Sequence, residues 1–151
     1  TLGVLERLVA FETADKLGPQ AIRRLAALLP PSPPVAEAVA ARLRLSRAQR
    51  DRLSCAASRV LADAEDPQAL AYREGTECAC DRLLLEGNSI ASLKDWAVPQ
   101  FPLKGGEIVK RGVAEGPQVA RVLRAAEARW IAEKFPGRER VEQILAELLK
   151  S

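Results

Sequence analysis

The residues best suited to chemistry lie in the segment FPLKGGEIVKRGVAEGPQVARVL, which runs from Phe101 to Leu123. It holds four of the nine glycines of the chain and two of its ten prolines, together with several lysines and arginines. Glycine lets a backbone come close to a ligand because it has no Cβ, and basic side chains neutralise phosphate. This combination is typical of a surface that binds a sugar-phosphate chain.

The end of this segment also predicts a helix start that can attract anions. Gly116 and Pro117 stand directly before an apolar helical pattern that begins at Val119. Proline is favoured at the first helical position, and the free N–H groups of a helix start attract negative charge. The predicted phosphate-binding side chains are Lys104, Lys110, Arg111, Arg121 and Arg124, and the glycines predicted to allow close approach are Gly105, Gly112 and Gly116.

The same segment also has a purely structural interpretation. Glycines commonly end helices and a proline commonly begins the next, so the stretch can simply join two packed helices. Its pattern resembles a helix-hairpin-helix nucleic-acid motif, although residues 113–115 make the spacer longer than the usual glycine turn. It matches neither a phosphate-cradling Walker loop nor a dinucleotide fingerprint, so no nucleotide pocket is predicted.

Other reactive residues are few. The chain contains no histidine, which excludes histidine-based acid, base or zinc chemistry within it. Cys78 and Cys80 are separated by one residue, and Cys55 is the third cysteine of the chain. Three thiolates do not complete a tetrahedral zinc site, so such a site would need a carboxylate ligand. We interpret these thiols as buried and inert, and the acidic residues 63–66 as a solvated turn, so neither a catalytic residue nor a metal site is predicted.

Composition bounds the class of protein. The chain has 151 residues, of which 48% are hydrophobic and 28% charged, and no apolar run reaches the roughly 20 residues that span a bilayer. It shows no signal peptide, and three cysteines are too few and odd for a disulfide framework, which favours a cytoplasmic location without a membrane partner. Because the chain begins at Thr1 and lacks methionine, we interpret it as a fragment of a longer protein.

Positive charge is concentrated at the two ends of the chain. Residues 1–53 carry nine basic and five acidic side chains, residues 54–100 four and eight, and residues 101–151 ten and seven. This distribution fits an anionic partner that contacts both ends, although ordinary solvated helix faces explain it equally well.

Apolar residues recur with a helical period, and no segment shows the period of two that is typical of strands. The clearest stripe runs from Leu53 to Ala64, and a helix near Pro34 is predicted to present Val35, Val39 and Leu43 to the core. Few aromatic residues and abundant alanine favour close helix packing. The helix boundaries are predicted from Gly18–Pro19, the PPSPP of residues 30–34, a Ser46–Gln49 capping box, Asp66–Pro67, Gly75–Thr76 and the EGN of residues 86–88.

We therefore expect an all-α helical bundle without a sheet. A helical body is predicted for residues 1–97 and a C-terminal helical RNA-binding tail for residues 98–151, with the glycine-rich joint at 102–117. A short helix is also expected within SIASLKDWAV, residues 89–98.

The segment FPLKGGEIVKRGVAEGPQVARVLRAAEARWIAEKFP resembles the end of bacterial class II CCA-adding tRNA nucleotidyltransferases and the related poly(A) polymerases. Their pattern runs P-x-x-G-x-D-[LI] and then G-x-x-x-G-P-x-[VI]-G-x-x-L, with Glu107 here in place of the aspartate and Ala120 in place of the last glycine. AIRRLAALLP and VAARLRLSRAQRDRLSCAAS are similar to the helical body of the same family, so the resemblance covers nearly the whole chain.

This resemblance implies a helical body and tail that bind the acceptor and T-arm region of tRNA. Nucleotide transfer would belong to an N-terminal head that holds Mg²⁺ through paired carboxylates and uses ATP and CTP. No motif of that head occurs here, so the fragment should be inactive alone and bind no cofactor; its partners would be tRNA and the parent's head. Arg23 and Arg24 form a second predicted group of RNA contacts. The alternative is a helical protein-interaction or oligomerisation module with no RNA role.

Overall fold

The computed structural model describes residues 2–150, and this part of the chain folds as α-helices with no strand, which confirms the all-α prediction. Two short 3₁₀ helices, Leu61–Glu65 and Ala91–Leu93, complete the regular structure. The α-helices are α1 (Leu2–Ala14), α2 (Ala21–Leu28), α3 (Pro33–Arg42), α4 (Arg47–Ala57), α5 (Pro67–Glu74), α6 (Thr76–Leu85), α7 (Gly105–Val109), α8 (Pro117–Ala132) and α9 (Arg138–Lys150).

The chain divides into two compact units. The first extends to Val98 and holds α1–α6, and the second begins at Pro99 and holds α7–α9. In residues 2–150, none of the helices combines the length and the apolar character that crossing a membrane requires.

Most helix ends follow the local signals in the sequence. Ser46 Oγ accepts a hydrogen bond from the N–H of Gln49 at 3.2 Å, and the Gln49 side chain accepts one from the N–H of Ser46 at 3.0 Å, which confirms the capping box. Asp66 caps α5 by accepting from the N–H of Ala69 at 3.1 Å. At the end of α6, Gly87 has a φ of +79°, the left-handed conformation that ends a helix at low cost for glycine.

The predicted stripe from Leu53 to Ala64 is only partly correct. α4 ends at Ala57, the Ser58 hydroxyl donates to the carbonyl of Ser54 at 3.0 Å, and Val60 and Leu61 beyond it are 54% and 82% exposed. The Asp63 carboxylate accepts from the N–H of Val60 at 2.9 Å and so begins a separate 3₁₀ turn. The helical period continues in the sequence, but the helix does not, because these local hydrogen bonds compete with it.

Small residues, not the predicted large ones, form the buried side of α3. Ala36 and Ala40 are buried, whereas Val35 and Leu43 are 37% and 56% exposed. Alanine allows α3 to lie close against α4, with which it packs. The helix predicted within SIASLKDWAV is limited to the 3₁₀ turn Ala91–Leu93.

The core of the first unit is formed mainly by leucines and alanines from the six helices α1–α6. α2 and α6 pack on α4, and α1 packs on both α2 and α6. The fully or largely buried residues include Leu8, Ile22, Ala26, Ala27, Leu53, Ala56, Leu83, Leu84 and Leu85.

A buried ionic cluster joins three helices of this unit. Asp81 on α6 is completely buried, and its carboxylate accepts from Arg52 on α4 at 2.8 and 3.0 Å and from Arg23 on α2 at 3.3 Å. Burial acts to lower the pKa of Arg52, but its hydrogen bond and charge attraction to Asp81 outweigh burial, and the pKa is raised. Arg52 also pairs with the exposed Glu77 at 3.1 Å. The cluster fixes how α2, α4 and α6 pack.

The expectation of inert thiols is wrong for two of the three cysteines. Cys55 on α4 and Cys78 on α6 form a disulfide, with their Cα atoms 6.0 Å apart. Cys80 is free, and burial raises the pKa of its thiol. Because a disulfide is present, the cysteine count no longer supports a reducing compartment.

The second unit has a separate apolar core. α8 packs on α7 and on α9, and the buried side of α8 consists of Val122, Ala126 and Trp130. The Trp130 ring lies 5.0 Å from the rings of both Phe101 and Phe135, and its indole N–H donates to the carbonyl of Pro136 at 2.9 Å. The aromatic contacts fix both the entry to this unit and the end of α8.

Candidate nucleic-acid interface

Two glycines shape the connection between α7 and α8. Gly112 has a φ of +96° and Gly116 a φ of +118° with a ψ of −149°, conformations that L side chains rarely adopt. Both are exposed, and a Cβ added at either would meet no other atom within 4 Å. The backbone therefore needs glycine at these positions for its conformation, and the surface around it is open to a ligand.

Replacing Gly116 by alanine is expected to lower the free energy of unfolding of the second unit by about 1–3 kcal/mol, because its φ and ψ are nearly restricted to glycine. Urea denaturation followed by tryptophan fluorescence in a Trp96→Phe background, where Trp130 is the remaining indole, measures the change. Gly106→Ala is the matched control: Gly106 lies in α7 with negative φ and open space around its Cβ position, so alanine there should be neutral or stabilising. An equal loss in both variants would contradict the conformational explanation.

Three predicted cations are exposed around this connection. Lys110 follows the last residue of α7, and Arg121 and Arg124 lie on the exposed side of α8, three residues apart and thus on one face. Among residues 2–150, no ion pair joins any of these three side chains to a carboxylate. In residues 2–150, therefore, no carboxylate at ion-pair distance neutralises their charges.

Two further predicted cations differ in their surroundings. Arg111 forms an ion pair with Glu142 on α9, which connects the end of α7 to that helix. Lys104 is exposed, and its backbone N–H donates to Glu107 Oε2 at 2.9 Å. The Glu107 side chain therefore caps the N-terminus of α7. Glu142 therefore partly neutralises the guanidinium of Arg111, whereas the side chain of Lys104 is exposed.

Glu107 and Arg138 were not among the site residues predicted from the sequence. Arg138 on α9 forms an ion pair with Glu107 and donates to the carbonyl of Pro102 at 2.9 Å. The hydrogen bond from Arg138, followed by that from the Lys104 backbone, lowers the pKa of Glu107. A glutamate at the third helical position was a visible capping signal, but its partner 31 residues away was not.

Gly105 serves packing between helices. A Cβ built at Gly105 would lie 3.3 Å from Cγ1 of Val119, which is tighter than most real contacts. The missing side chain lets α7 approach α8 closely. Gly105 therefore has a packing role between these helices, and its contact with a ligand stays a prediction.

The second predicted group lies in the first unit and is engaged inside it. Arg23 is only 7% exposed and pairs with Asp81 at 3.3 Å and with Glu12 at 3.5 Å, so it has no surface left for a phosphate. Arg24 is half-buried and pairs with the buried Glu12 at 3.0 Å. For Arg23 the predicted role as an RNA contact is corrected to a structural one, because its guanidinium is buried against Asp81 and Glu12. For Arg24, whose side chain is 39% exposed, that role stays a prediction.

The structure thus places Lys104, Lys110, Gly112, Gly116, Arg121 and Arg124 at the surface of one unit, and we call this set the basic turn. Comparison of the chain with protein-family models, curated proteins and solved structures finds no match.

Proposed function

We propose that this chain is the RNA-binding C-terminal portion of a tRNA nucleotidyltransferase or a related poly(A) polymerase. In this proposal the chain holds the acceptor and T-arm region of tRNA and performs no bond-making step itself. The parent's N-terminal head would carry the Mg²⁺, ATP and CTP chemistry.

One observation carries the proposal. Lys110, Arg121 and Arg124 are exposed and have no carboxylate partner in the described part of the chain, and they flank a glycine connection that leads into the start of α8. Exposed cations without partners are available to neutralise phosphates, and this neutralisation releases the cations condensed on the nucleic acid, which is the main source of sequence-independent affinity. Recognition of folded RNA by shape and phosphate needs no base-specific pocket.

The test compares folded tRNA with unstructured RNA and heparin as competitors for fluorescently labelled tRNA at moderate salt. Preferential displacement by folded tRNA supports the proposal. If heparin and unstructured RNA compete as well as tRNA, the basic turn is a general polyanion surface and the proposal fails.

A triple variant, Lys110→Ala with Arg121→Ala and Arg124→Ala, should weaken tRNA binding and reduce the slope of log affinity against log salt by about two to three, because three phosphate contacts are lost. Fluorescence anisotropy across a salt series measures both quantities. The charge-matched control replaces Arg42, Arg47 and Lys94, which are exposed in the first unit. A loss of the same size in the control would show that net charge, not the basic turn, determines binding.

The alternative, a protein-interaction or oligomerisation module, is favoured by apolar side chains exposed in the first unit. Leu28 at the end of α2, Leu43 after α3 and Leu61 in the 3₁₀ turn are all more than two-fifths exposed. If the chain self-associates at micromolar concentration and shows no preference for tRNA, this alternative replaces the first.

A further inference from the structure

Three side chains with the chemistry of metal ligands meet in the first unit. Cys55 lies in the last turn of α4, Glu74 is the last residue of α5, and Cys78 is the third residue of α6. Their two sulfur atoms and one carboxylate oxygen all lie within 4.8 Å of one another. Glu74 therefore supplies the carboxylate ligand that the cysteines lack in a chain without histidine.

These distances suit a tetrahedral ion after a small movement of the side chains. With metal–sulfur bonds of about 2.3 Å and metal–oxygen bonds of about 2.0–2.2 Å, the ligands of tetrahedral zinc are roughly 3.4–3.8 Å apart. To reach such positions the two sulfurs must separate once the disulfide is opened, and the carboxylate oxygen, now within 4.8 Å of both, must approach them.

The cluster is accessible from outside. A cavity of about 450 Å³ is lined by Cys55, Glu74 and Cys78, together with Arg52 and Gly75 among others. Glu74 is exposed at the mouth, and Cys78 is buried at the wall. Such a cavity admits an ion, its remaining water ligand and a small reductant.

The surrounding charges favour thiolates. Nη2 of Arg82 lies 3.8 Å from the sulfur of Cys55 and 4.0 Å from the Glu74 carboxylate. Cys78 lies in the first turn of α6, where free N–H groups stabilise negative charge. Two thiolates and one carboxylate carry three negative charges, and one divalent ion together with Arg82 would balance them. Asp63, which pairs with Arg82 at 3.7 Å, and Glu77, which pairs with Arg52, are the other charged groups nearby.

We propose that, in the dithiol form, Cys55, Cys78 and Glu74 bind one divalent ion of the zinc class, with water as the fourth ligand. Borderline-soft ions prefer thiolate sulfur, so calcium and magnesium are excluded as occupants. The disulfide form and the metal-bound form exclude each other, since both use the same two sulfur atoms. The site is independent of the RNA-binding role.

A phosphine is the reductant that converts the disulfide form into the dithiol form. The phosphine attacks one sulfur, the S–S bond breaks, water provides the oxygen that leaves as phosphine oxide, and two thiols remain. Binding of the metal then replaces two thiol protons, which are released to solvent.

The experiment uses the full chain, reduced with a phosphine under nitrogen, freed of metal with a chelator and titrated with Co²⁺. One equivalent should produce a sulfur-to-cobalt charge-transfer band in the near ultraviolet and tetrahedral bands in the visible, and Zn²⁺ should remove both. Cys55→Ser or Cys78→Ser should abolish the charge-transfer band or weaken binding by at least about a hundredfold, and Glu74→Gln by about tenfold or more.

Cys80→Ser and Glu77→Gln are the matched controls, because both residues are close in sequence and outside the cluster, and both variants should bind Co²⁺ like the wild type. The oxidised wild type, which keeps its fold without any substitution, should not bind. The proposal is overturned if the reduced wild type gives no thiolate band, if Cys55→Ser retains the band with wild-type affinity, or if Cys80→Ser loses it.

Discussion

Replacing Asp81 by asparagine should lower the free energy of unfolding of the first unit by about 3–5 kcal/mol, the cost of removing one partner from a buried ionic cluster. Asparagine has the same shape but no charge, so Arg23 and Arg52 would remain close together without their shared carboxylate. Of its carboxylate partners among the described residues Arg23 would keep Glu12, and Arg52 would keep the exposed Glu77. The measurement is urea denaturation followed by far-ultraviolet circular dichroism.

Glu77→Gln is the control for this prediction, because Glu77 pairs with the same Arg52 at 3.1 Å but is 67% exposed. Surface ion pairs contribute about 0–1 kcal/mol, so this variant should be close to the wild type. If Asp81→Asn cost no more than Glu77→Gln, the cluster would not be what holds α2, α4 and α6 together.

Reducing the disulfide should lower the free energy of unfolding by about 3 kcal/mol, the value that chain entropy gives for a loop of this length. The bond joins α4 to α6 across a sequence separation of 23 residues. Without it the unfolded chain gains freedom, while the packing of the folded helices changes little. The expected observation is a lower urea midpoint in the presence of a phosphine and a chelator, since the chelator prevents metal from replacing the cross-link.

Cys55→Ser should reproduce this loss without a reductant and should then be insensitive to the phosphine. Cys80→Ser, which leaves the disulfide intact, should keep wild-type stability and the full response to reduction. A wild-type protein whose midpoint does not respond to the phosphine would contradict the prediction.

Both effects concern the same three-helix contact. Arg52 and Cys55 are one turn apart on α4, and Cys78 and Asp81 are one turn apart on α6. The ionic cluster and the disulfide therefore both join α4 to α6. The loss of stability on removing both should differ from the sum of the two separate losses, because neighbouring interactions couple. A double-mutant cycle with Asp81→Asn and Cys55→Ser would measure this coupling.

In the basic turn, the segment predicted from the sequence contains two kinds of residue, and its role in RNA binding stays a prediction. The exposed Lys110, Arg121 and Arg124 have no carboxylate partner among the described residues, whereas Arg111 pairs with Glu142 across 31 positions of sequence. Gly112 and Gly116 are required for the positive φ of the backbone, whereas Gly105 leaves room for the side chain of Val119. Residue type alone does not distinguish these cases, because each depends on a helix distant in the sequence.

The sequence by itself determined the helical class and most helix boundaries, since caps such as Ser46–Gln49 and Asp66 act over three or four residues and need no tertiary partner. Only the tertiary structure decided which arginines are neutralised and that Cys55 meets Cys78. Those outcomes depend on charges and surfaces brought together from remote positions by the packing of α2, α4 and α6, and no short-range pattern encodes them.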